Sequence, residues 1–189
     1  MLILASQSPR RRELLDAWGI SFRVMPSRYE EDNERPLPPE TLVRLQAEGK
    51  ARDVWNRSGR VHPVLGADTV VVLGGHILGK PSGPEDAVRM LQALSGKSHD
   101  VLTSVAVAAK GGVKSAVCRS RVLFQPLSEE EIRRYVSGGE PLDKAGAYAI
   151  QGEGKRFVAA LEGSWSNVVG LPKELTLSLL REAGIDTEA

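Results

Sequence analysis

A length of 189 residues suits one folded core, or one core with a small lobe. Hydrophobic residues make up 41% and charged residues 26%, which is typical of an ordinary globular protein. The 25 Lys and Arg residues balance 24 Asp and Glu residues, so no global field favours nucleic acid or an anionic membrane. Any anion-binding site must therefore be a local cluster of cations.

Cysteine usage and the lack of a long apolar run indicate the compartment. Cys118 is the single cysteine, so no intrachain disulfide can form, which fits a reducing environment. No apolar run approaches the roughly 18 residues that span a bilayer. The short apolar start, followed by three arginines, does not fit a secretory signal. We therefore expect a cytoplasmic protein that binds neither a nucleic acid polymer nor a membrane.

Strands and helices alternate along the chain, and two hairpins interrupt the alternation. Gly74-Gly75 and Gly111-Gly112 are hairpin signals between apolar runs, and Ser128-Glu129-Glu130-Glu131 is a capping box that begins a helix. In chain order, the predicted elements are strands at 2–5 and 22–25 around a helix at 8–18, an acidic loop at 26–39, a helix at about 41–55, strands at 64–73 and 76–78, a helix at 82–94, strands at about 100–109 and 116–124, a helix at 128–136, a loop at 137–154 with room for a short strand, and a helix at 172–183. This pattern predicts the α/β class, with a mixed sheet covered by helices and no linker between independent domains.

Three arginines, Arg10 to Arg12, occupy the first turn of the first predicted helix, after Ser6-Gln7-Ser8-Pro9. The positive end of the helix dipole disfavours each cation there by up to about 1 kcal/mol, so the arrangement favours a bound anion. Free backbone N–H groups, serine hydroxyls and an inward arginine would together bind a phosphate. The alternative is a surface helix whose arginines all point into solvent.

Two acidic segments are candidates for metal binding. Glu30-Glu31-Asp32 offers hard oxygen ligands that suit magnesium, unless it is simply a solvated loop. Asp68 lies within the apolar run 64–73, where a buried acid needs a partner or a cation. Asp68 could hold a metal, take a proton from water, or cap a turn.

Three lysines and one small-residue segment complete the candidate set. Lys50, Lys80 and Lys144 are compact cations able to bind phosphate oxygens, although most lysines are solvated. Lys80 stands out because a glycine and a proline flank it and restrict its backbone. Segment 143–152 surrounds Gln151 with small residues, which suits either a planar ligand read by the amide or an ordinary glycine-rich loop.

Several other chemistries have no support in the sequence. The chain has no Walker or Rossmann fingerprint, no His and Cys cluster at zinc spacing, and no serine in a GxSxG context. What remains is a set of cations for phosphate, acids for a metal and a small-residue pocket for a nucleobase. This set fits metal-assisted hydrolysis of a nucleotide.

The blocks, in this order, resemble the Maf family of nucleoside triphosphate pyrophosphatases, nearly end to end. The motifs that carry the resemblance are Ala5-Ser6-Gln7-Ser8-Pro9-Arg10-Arg11, Glu30-Glu31, Ala47-Glu48-Gly49-Lys50-Ala51, Gly66-Ala67-Asp68-Thr69, Gly79-Lys80-Pro81, Leu94-Ser95-Gly96, Asp143-Lys144-Ala145-Gly146-Ala147-Tyr148, Ile150-Gln151-Gly152 and Asn167-Val168-Val169-Gly170-Leu171-Pro172. The resemblance implies a single Maf-like domain over residues 1–189. It also implies a mixed twisted sheet flanked by helices, a relation to inosine triphosphate pyrophosphatases, and two lobes with a central cleft.

The resemblance further implies hydrolysis of the α–β bond of dTTP and UTP with Mg²⁺ or Mn²⁺. It assigns catalytic roles to Asp68, Lys50 and Lys80, substrate contacts to Ser6, Arg10, Arg11, Thr69 and Gln151, and metal ligation to Glu31 and Asp68. Arg10, Thr69 and Gln151 match the three positions that divide the family by substrate. The choice between Glu30 and Glu31 stays open, as does a homodimer. Alternative functions are hydrolysis of 7-methyl-GTP or another non-canonical nucleotide, and nucleotide-dependent regulation of cell division.

Overall fold

The computed structural model describes residues 1–187 and confirms the α/β class with a mixed sheet flanked by helices. Its elements are β1 (Leu2–Leu4), α1 (Pro9–Ala17), β2 (Phe22–Val24), α2 (Pro39–Arg57), β3 (Val64–Leu73), β4 (His76–Leu78), α3 (Pro84–Leu94), β5 (Ser98–Ala109), β6 (Gly112–Phe124), α4 (Glu129–Ser137), β7 (Val158–Glu162), α5 (Trp165–Val169) and α6 (Lys173–Glu182). Three 3-10 turns lie at Glu140–Asp143, Ala145–Ala147 and Glu153–Phe157.

Across residues 1–187, seven strands form a sheet in the order β2-β1-β3-β5-β6-β7, with β4 paired to β3. Strand β1 runs parallel to β2 and to β3, and it places Leu4 opposite Leu65. Strands β4 and β7 pair antiparallel with β3 and β6 respectively. In the same part of the chain, no helix is both long and apolar enough to cross a bilayer.

The chain divides into two compact units. The first unit comprises residues 1–68, 103–118 and 170 onward, and the second comprises 69–102 and 119–169. Small and branched side chains from β1, α2, β3 and β5 form a core in the first unit, including Ala5, Ala47 and Val64. In the second unit, α3 packs against α4. Both units draw on separate stretches of the chain. The single-domain organisation stays a prediction.

The sequence did not predict the structure of every segment. Segment 137–154 forms 3-10 turns rather than a short strand, and Gly139 and Gly146 adopt positive φ angles of 80° and 68° there. Only glycine takes this conformation at little cost, so it favours tight turns. Strand β7 was not predicted from the sequence. It lies at the edge of the sheet and has no fully buried residue, so it lacks the alternating pattern that marks a half-buried strand.

Candidate active site

The start of α1 is organised by two serine hydroxyls. The Ser8 hydroxyl is the N-cap and accepts a hydrogen bond from the Arg11 backbone N–H at 3.4 Å, and Pro9 follows at the first helical position. The buried Ser6 hydroxyl accepts from the Ser8 backbone N–H at 3.2 Å. The helix start predicted from the sequence is therefore confirmed. Ser8 caps the helix, and Ser6 binds the backbone of Ser8.

The three arginines have different surroundings. Arg11 donates from Nε to the Gly170 carbonyl at 2.8 Å and from Nη1 to the Ser6 hydroxyl at 3.3 Å. Burial lowers the pKa of Arg11, and the nearby carboxylates of Asp68 and Glu31 act in the opposite direction. Arg12 is exposed and donates to the Gln7 carbonyl, whereas Arg10 is half-buried and its Nε has no hydrogen-bond partner among residues 1–187. Arg11 is thus the inward arginine that the sequence analysis expected.

Lys50 links the two acidic segments. Its Nζ lies 2.6 Å from Oε1 of Glu31 and 2.9 Å from Oδ1 of Asp68, and it also donates to the Ala67 carbonyl at 3.3 Å. An ammonium group has three donors, and these three acceptors use all of them. The side chain of Lys50 is 9% exposed and that of Asp68 is 5% exposed, whereas that of Glu31 is 38% exposed. Of the two carboxylates that bind Lys50, Glu31 is therefore the one that a ligand can reach.

Gln46 is a polar residue that the sequence analysis did not select. It is fully buried, and its Nε2 donates to Oδ2 of Asp68 at 2.8 Å and to the Asn33 side chain at 3.0 Å. Its Oε1 accepts from the Asp32 backbone N–H at 2.7 Å. Since each end of the amide faces a partner of fixed polarity, the orientation of the amide is determined. Gln46 therefore connects the acidic loop to Asp68.

One face of α2 holds the acidic loop. Gln46, Lys50 and Asp53 follow at helical spacing, so their side chains share a face. Asp53 accepts from the Arg28 backbone N–H at 2.8 Å and from the Ser27 hydroxyl at 3.2 Å. Its hydrogen bond with Arg57 is the main reason that the pKa of Asp53 falls to about 2. The spacing is readable in the sequence, but the partners lie far along the chain.

Two glycines let this face approach its partners. A Cβ on Gly66 would lie 2.6 Å from the Ala47 carbonyl oxygen and 2.8 Å from the Ala51 nitrogen, so α2 packs directly on the β3 backbone there. A Cβ on Gly49 would overlap the ring of Tyr29, which precedes the acidic residues of the loop. Gly66, two residues before Asp68, therefore accommodates the close approach of a helix.

The remaining predicted residues lie in the second unit. Continuing the β3–β4 register, which pairs Val71 with Leu78, would place Lys80 across from Thr69. The carbonyl of Gly79 accepts from the Gly146 backbone N–H at 3.1 Å, which fastens the Lys80 segment to the small-residue segment. Lys80 is exposed and has no hydrogen-bond or ion-pair partner within the described chain. Gln151 is also exposed.

The surroundings of Lys144 and Cys118 indicate structural roles for both residues. Lys144 donates to the Glu140 carbonyl at 2.9 Å and to the Asp143 carboxylate at 2.7 Å, which accounts for its charge within the turn. Burial raises the pKa of Cys118, which favours an inert thiol. Among the residues that the structure describes, no three His, Cys, Asp or Glu side chains are grouped so as to enclose a metal ion.

Comparisons with known proteins cover nearly the whole chain. Residues 1–183 match a family model described as Maf-like protein. The chain is 53% identical to a dTTP/UTP pyrophosphatase of Anaeromyxobacter sp. (strain Fw109-5), over 97% of this chain and 89% of that protein. It is 49% identical to a dTTP/UTP pyrophosphatase of Gloeobacter violaceus, over 96% of this chain and 95% of that protein. A nucleoside-triphosphatase (dITP/XTP pyrophosphatase) structure from Mycobacterium abscessus is similar at 13% identity and a TM-score of 0.47, over 97% of this chain and 94% of that one. The match over nearly the whole sequence, together with these identities, shows that the chain belongs to the Maf-like protein family.

Proposed function

We propose that this chain hydrolyses dTTP and UTP to the nucleoside monophosphate and pyrophosphate. The observation that carries the proposal is the cluster of Arg11, Lys50, Glu31 and Asp68 beside the N-terminus of α1. Cations at a helix N-terminus suit a polyphosphate, and a carboxylate held beside them suits activation of water. The dTTP/UTP pyrophosphatases to which the chain is about half identical support the same substrates.

In this proposal, the triphosphate is bound by the first-unit cations. Arg11 is oriented by the Gly170 carbonyl and Ser6, so its guanidinium costs little further entropy when it binds a phosphate. Lys50 has no spare donor, and therefore a phosphate oxygen must replace one of its acceptors. Glu31 is the replaceable acceptor because its side chain is the exposed one of the pair. Lys80 binds phosphate oxygens as a further cation, as predicted from the sequence.

Asp68 is the proposed base. Its carboxylate is held by Lys50 on one oxygen and by Gln46 on the other, so it is positioned before the substrate arrives. The oxygen of a water molecule bonds to the α-phosphorus while its proton passes to Asp68. The bond from the α-phosphorus to the bridging oxygen breaks, and pyrophosphate leaves with the electron pair. The positive groups stabilise the charge that develops on the phosphates.

A divalent cation fits the residues present through Glu31. Its carboxylate is a hard oxygen ligand and is the exposed partner of Lys50. Glu31 would hold Mg²⁺ or Mn²⁺ together with substrate oxygens, and the metal would neutralise negative charge on the phosphates. Both carboxylate oxygens of Asp68 already accept hydrogen bonds, Oδ1 from Lys50 and Oδ2 from Gln46, so Asp68 would have to share an oxygen to join as a ligand. We therefore assign Glu31 as the principal protein ligand.

Arg10, Thr69 and Gln151 are the proposed substrate-selecting residues. Thr69 follows the proposed base directly in β3, and Gln151 presents an exposed amide. An amide can pair with the donor and acceptor edge of uracil or thymine. The proposal includes a cytoplasmic setting, because the free nucleoside triphosphates that it requires are found there.

The test is hydrolysis of single nucleotides in water labelled with ¹⁸O, with Mg²⁺ present. We expect pyrophosphate as the first phosphate product from dTTP and UTP, with the label in the monophosphate. Label in pyrophosphate would mean attack at the β-phosphorus, and orthophosphate as the first product would mean cleavage of the terminal bond. Either result would overturn the proposed reaction. The Asp68→Asn variant, purified identically, controls for contaminating phosphatases.

A further inference from the structure

The loop that carries Gln151 is fastened on both sides of that residue. Before it, the Ala149 backbone N–H donates to the Tyr135 hydroxyl at 3.2 Å. After it, the Glu140 carboxylate accepts from the backbone N–H groups of Glu153 at 3.1 Å and Gly154 at 3.3 Å. We call residues 148–154 the Gln151 loop. The side chain of Gln151 lies in the middle of this loop and is exposed.

The two fasteners lie near each other. Burial and the nearby Glu140 carboxylate raise the pKa of Tyr135 well above its usual range. Tyr135 is 1% exposed, and its ring packs edge-on against Phe157 with centroids 4.9 Å apart. The loop backbone is therefore hydrogen-bonded to a buried tyrosine before Gln151 and to a carboxylate after it.

Two glycines bring the loop backbone against this pair. A Cβ on Gly154 would lie 2.9 Å from the Tyr135 hydroxyl and 2.7 Å from the Ala149 carbonyl oxygen. A Cβ on Gly152 would overlap the Glu140 carboxylate. The loop therefore packs closely against Tyr135 and Glu140 directly after Gln151.

We propose that Tyr135 and Glu140 are positioning residues for Gln151 and set the base preference without touching the nucleotide. The inference rests on the proposed function, in which Gln151 reads the base. Uracil presents a donor at N3 and an acceptor at O4, whereas cytosine presents an acceptor and a donor at the corresponding atoms. An amide distinguishes the two only while its oxygen and nitrogen keep their places. A loosened loop lets the amide turn, and the distinction is lost.

The experiment compares kcat/KM for UTP and CTP, measured by pyrophosphate release. Tyr135→Phe keeps the ring but removes the hydroxyl, and Glu140→Gln removes the charge that accepts from the loop. For each variant we expect the UTP:CTP ratio to fall about tenfold, the scale of one net hydrogen bond. In a Gln151→Ala background, Tyr135→Phe should change the ratio no further. Val136→Ala, on the same helix and buried, should lower stability while keeping the ratio.

A purely structural role predicts a different pattern. Tyr135→Phe and Glu140→Gln would then lower the melting temperature as Val136→Ala does, and the UTP:CTP ratio would stay within about twofold of the wild-type ratio. That result, or equal effects with and without Gln151, would overturn the inference while pyrophosphate release by the wild type left the proposed function intact. A wild type that releases no pyrophosphate from any nucleotide would overturn both.

Discussion

The Nζ atom of Lys50 lies 2.9 Å from Oδ1 of Asp68, and the same atom lies 2.6 Å from Oε1 of Glu31. One ammonium thus lies between the two carboxylates that the sequence analysis paired around a divalent ion. Because Asp68 is buried, removing its cation leaves a poorly solvated charge. Lys50 therefore contributes both to stability and to the proposed chemistry.

Replacing Lys50 by Met should reduce stability and activity together. We expect a loss of about 3 kcal/mol in the free energy of unfolding, since one partner of a buried ion pair is removed. We also expect kcat/KM to fall about 10²-fold through loss of charge stabilisation. Lys114→Met is the matched control, because its ion pair with Glu182 is exposed and should contribute less than about 1 kcal/mol. Urea unfolding that shows equal losses in the two variants would contradict the role given to Lys50.

Asp68→Asn should lower turnover about 10²- to 10⁴-fold, the usual contribution of a general base. The new amide nitrogen can face the Nε2 of Gln46, which places two donors together. Adding Gln46→Glu supplies an acceptor to that amide and still accepts from the Asp32 backbone N–H. We therefore expect the double variant to regain stability, measured by thermal unfolding, without regaining turnover. Recovery of turnover in the double variant would argue against Asp68 as the base.

Gly66→Ala tests the close approach of α2 to β3. The added methyl group would lie 2.6 Å from the Ala47 carbonyl oxygen, and such overpacking costs about 1–3 kcal/mol. The helix must move, and activity should fall because Gln46 and Lys50 move with it. Gly111→Ala, where a Cβ would meet nothing within 4 Å, should change neither stability nor activity. An unchanged unfolding midpoint for Gly66→Ala would show that the contact is not tight.

Stability should depend on pH through His99 in the second unit. This residue is 2% exposed, its Nε2 lies 2.6 Å from the Tyr148 hydroxyl, and desolvation lowers its pKa to about 4. The neighbouring Asp100 opposes this shift but does not cancel it. Below the unfolded pKa of about 6.5, the unfolded chain binds a proton that the folded chain does not. The free energy of unfolding should therefore fall as the pH drops from 6.5 to 4, by up to roughly 3 kcal/mol.

The measurement is urea unfolding at several pH values across this interval. The His99→Gln variant retains a side chain that can bond to Tyr148 but has no group that titrates there. Its free energy of unfolding should therefore change less between pH 6.5 and pH 4.5 than that of the wild type. Parallel pH profiles for the two proteins would show that His99 does not control this dependence.

Local signals predicted most of the fold. Local patterns such as the capping box at Ser128 predicted helices, and apolar runs predicted the long strands, because these patterns depend on near neighbours in the chain. Strand β7 was not predicted because an exposed edge strand has no buried face, so its apolar and polar residues do not alternate. The 3-10 turns were not predicted because they depend on glycine conformations within a segment that has no hydrophobic periodicity.

For the candidate site, the residue types were easier to predict than their partners. Asp68 was selected because an acid in an apolar run needs a partner, and Lys50 was selected as a cation. Their pairing depends on how α2 lies over β3, which nothing in either segment alone specifies. Gln46 was missed for the same reason, since a buried glutamine on a helix looks like any polar surface residue until its partners are known.

The spacing of Gln46, Lys50 and Asp53 on α2 has a consequence for how this protein tolerates insertions and deletions. Each added residue rotates everything beyond it by about 100° around the helix axis. One insertion between Gln46 and Asp53 would therefore separate the contacts to Asp68 from those to Arg28. Residues 34–37 lie outside any helix or strand, so a change in length there leaves this face of the helix intact. Natural length variation in this part of the protein should therefore be found in the loop and not in the helix.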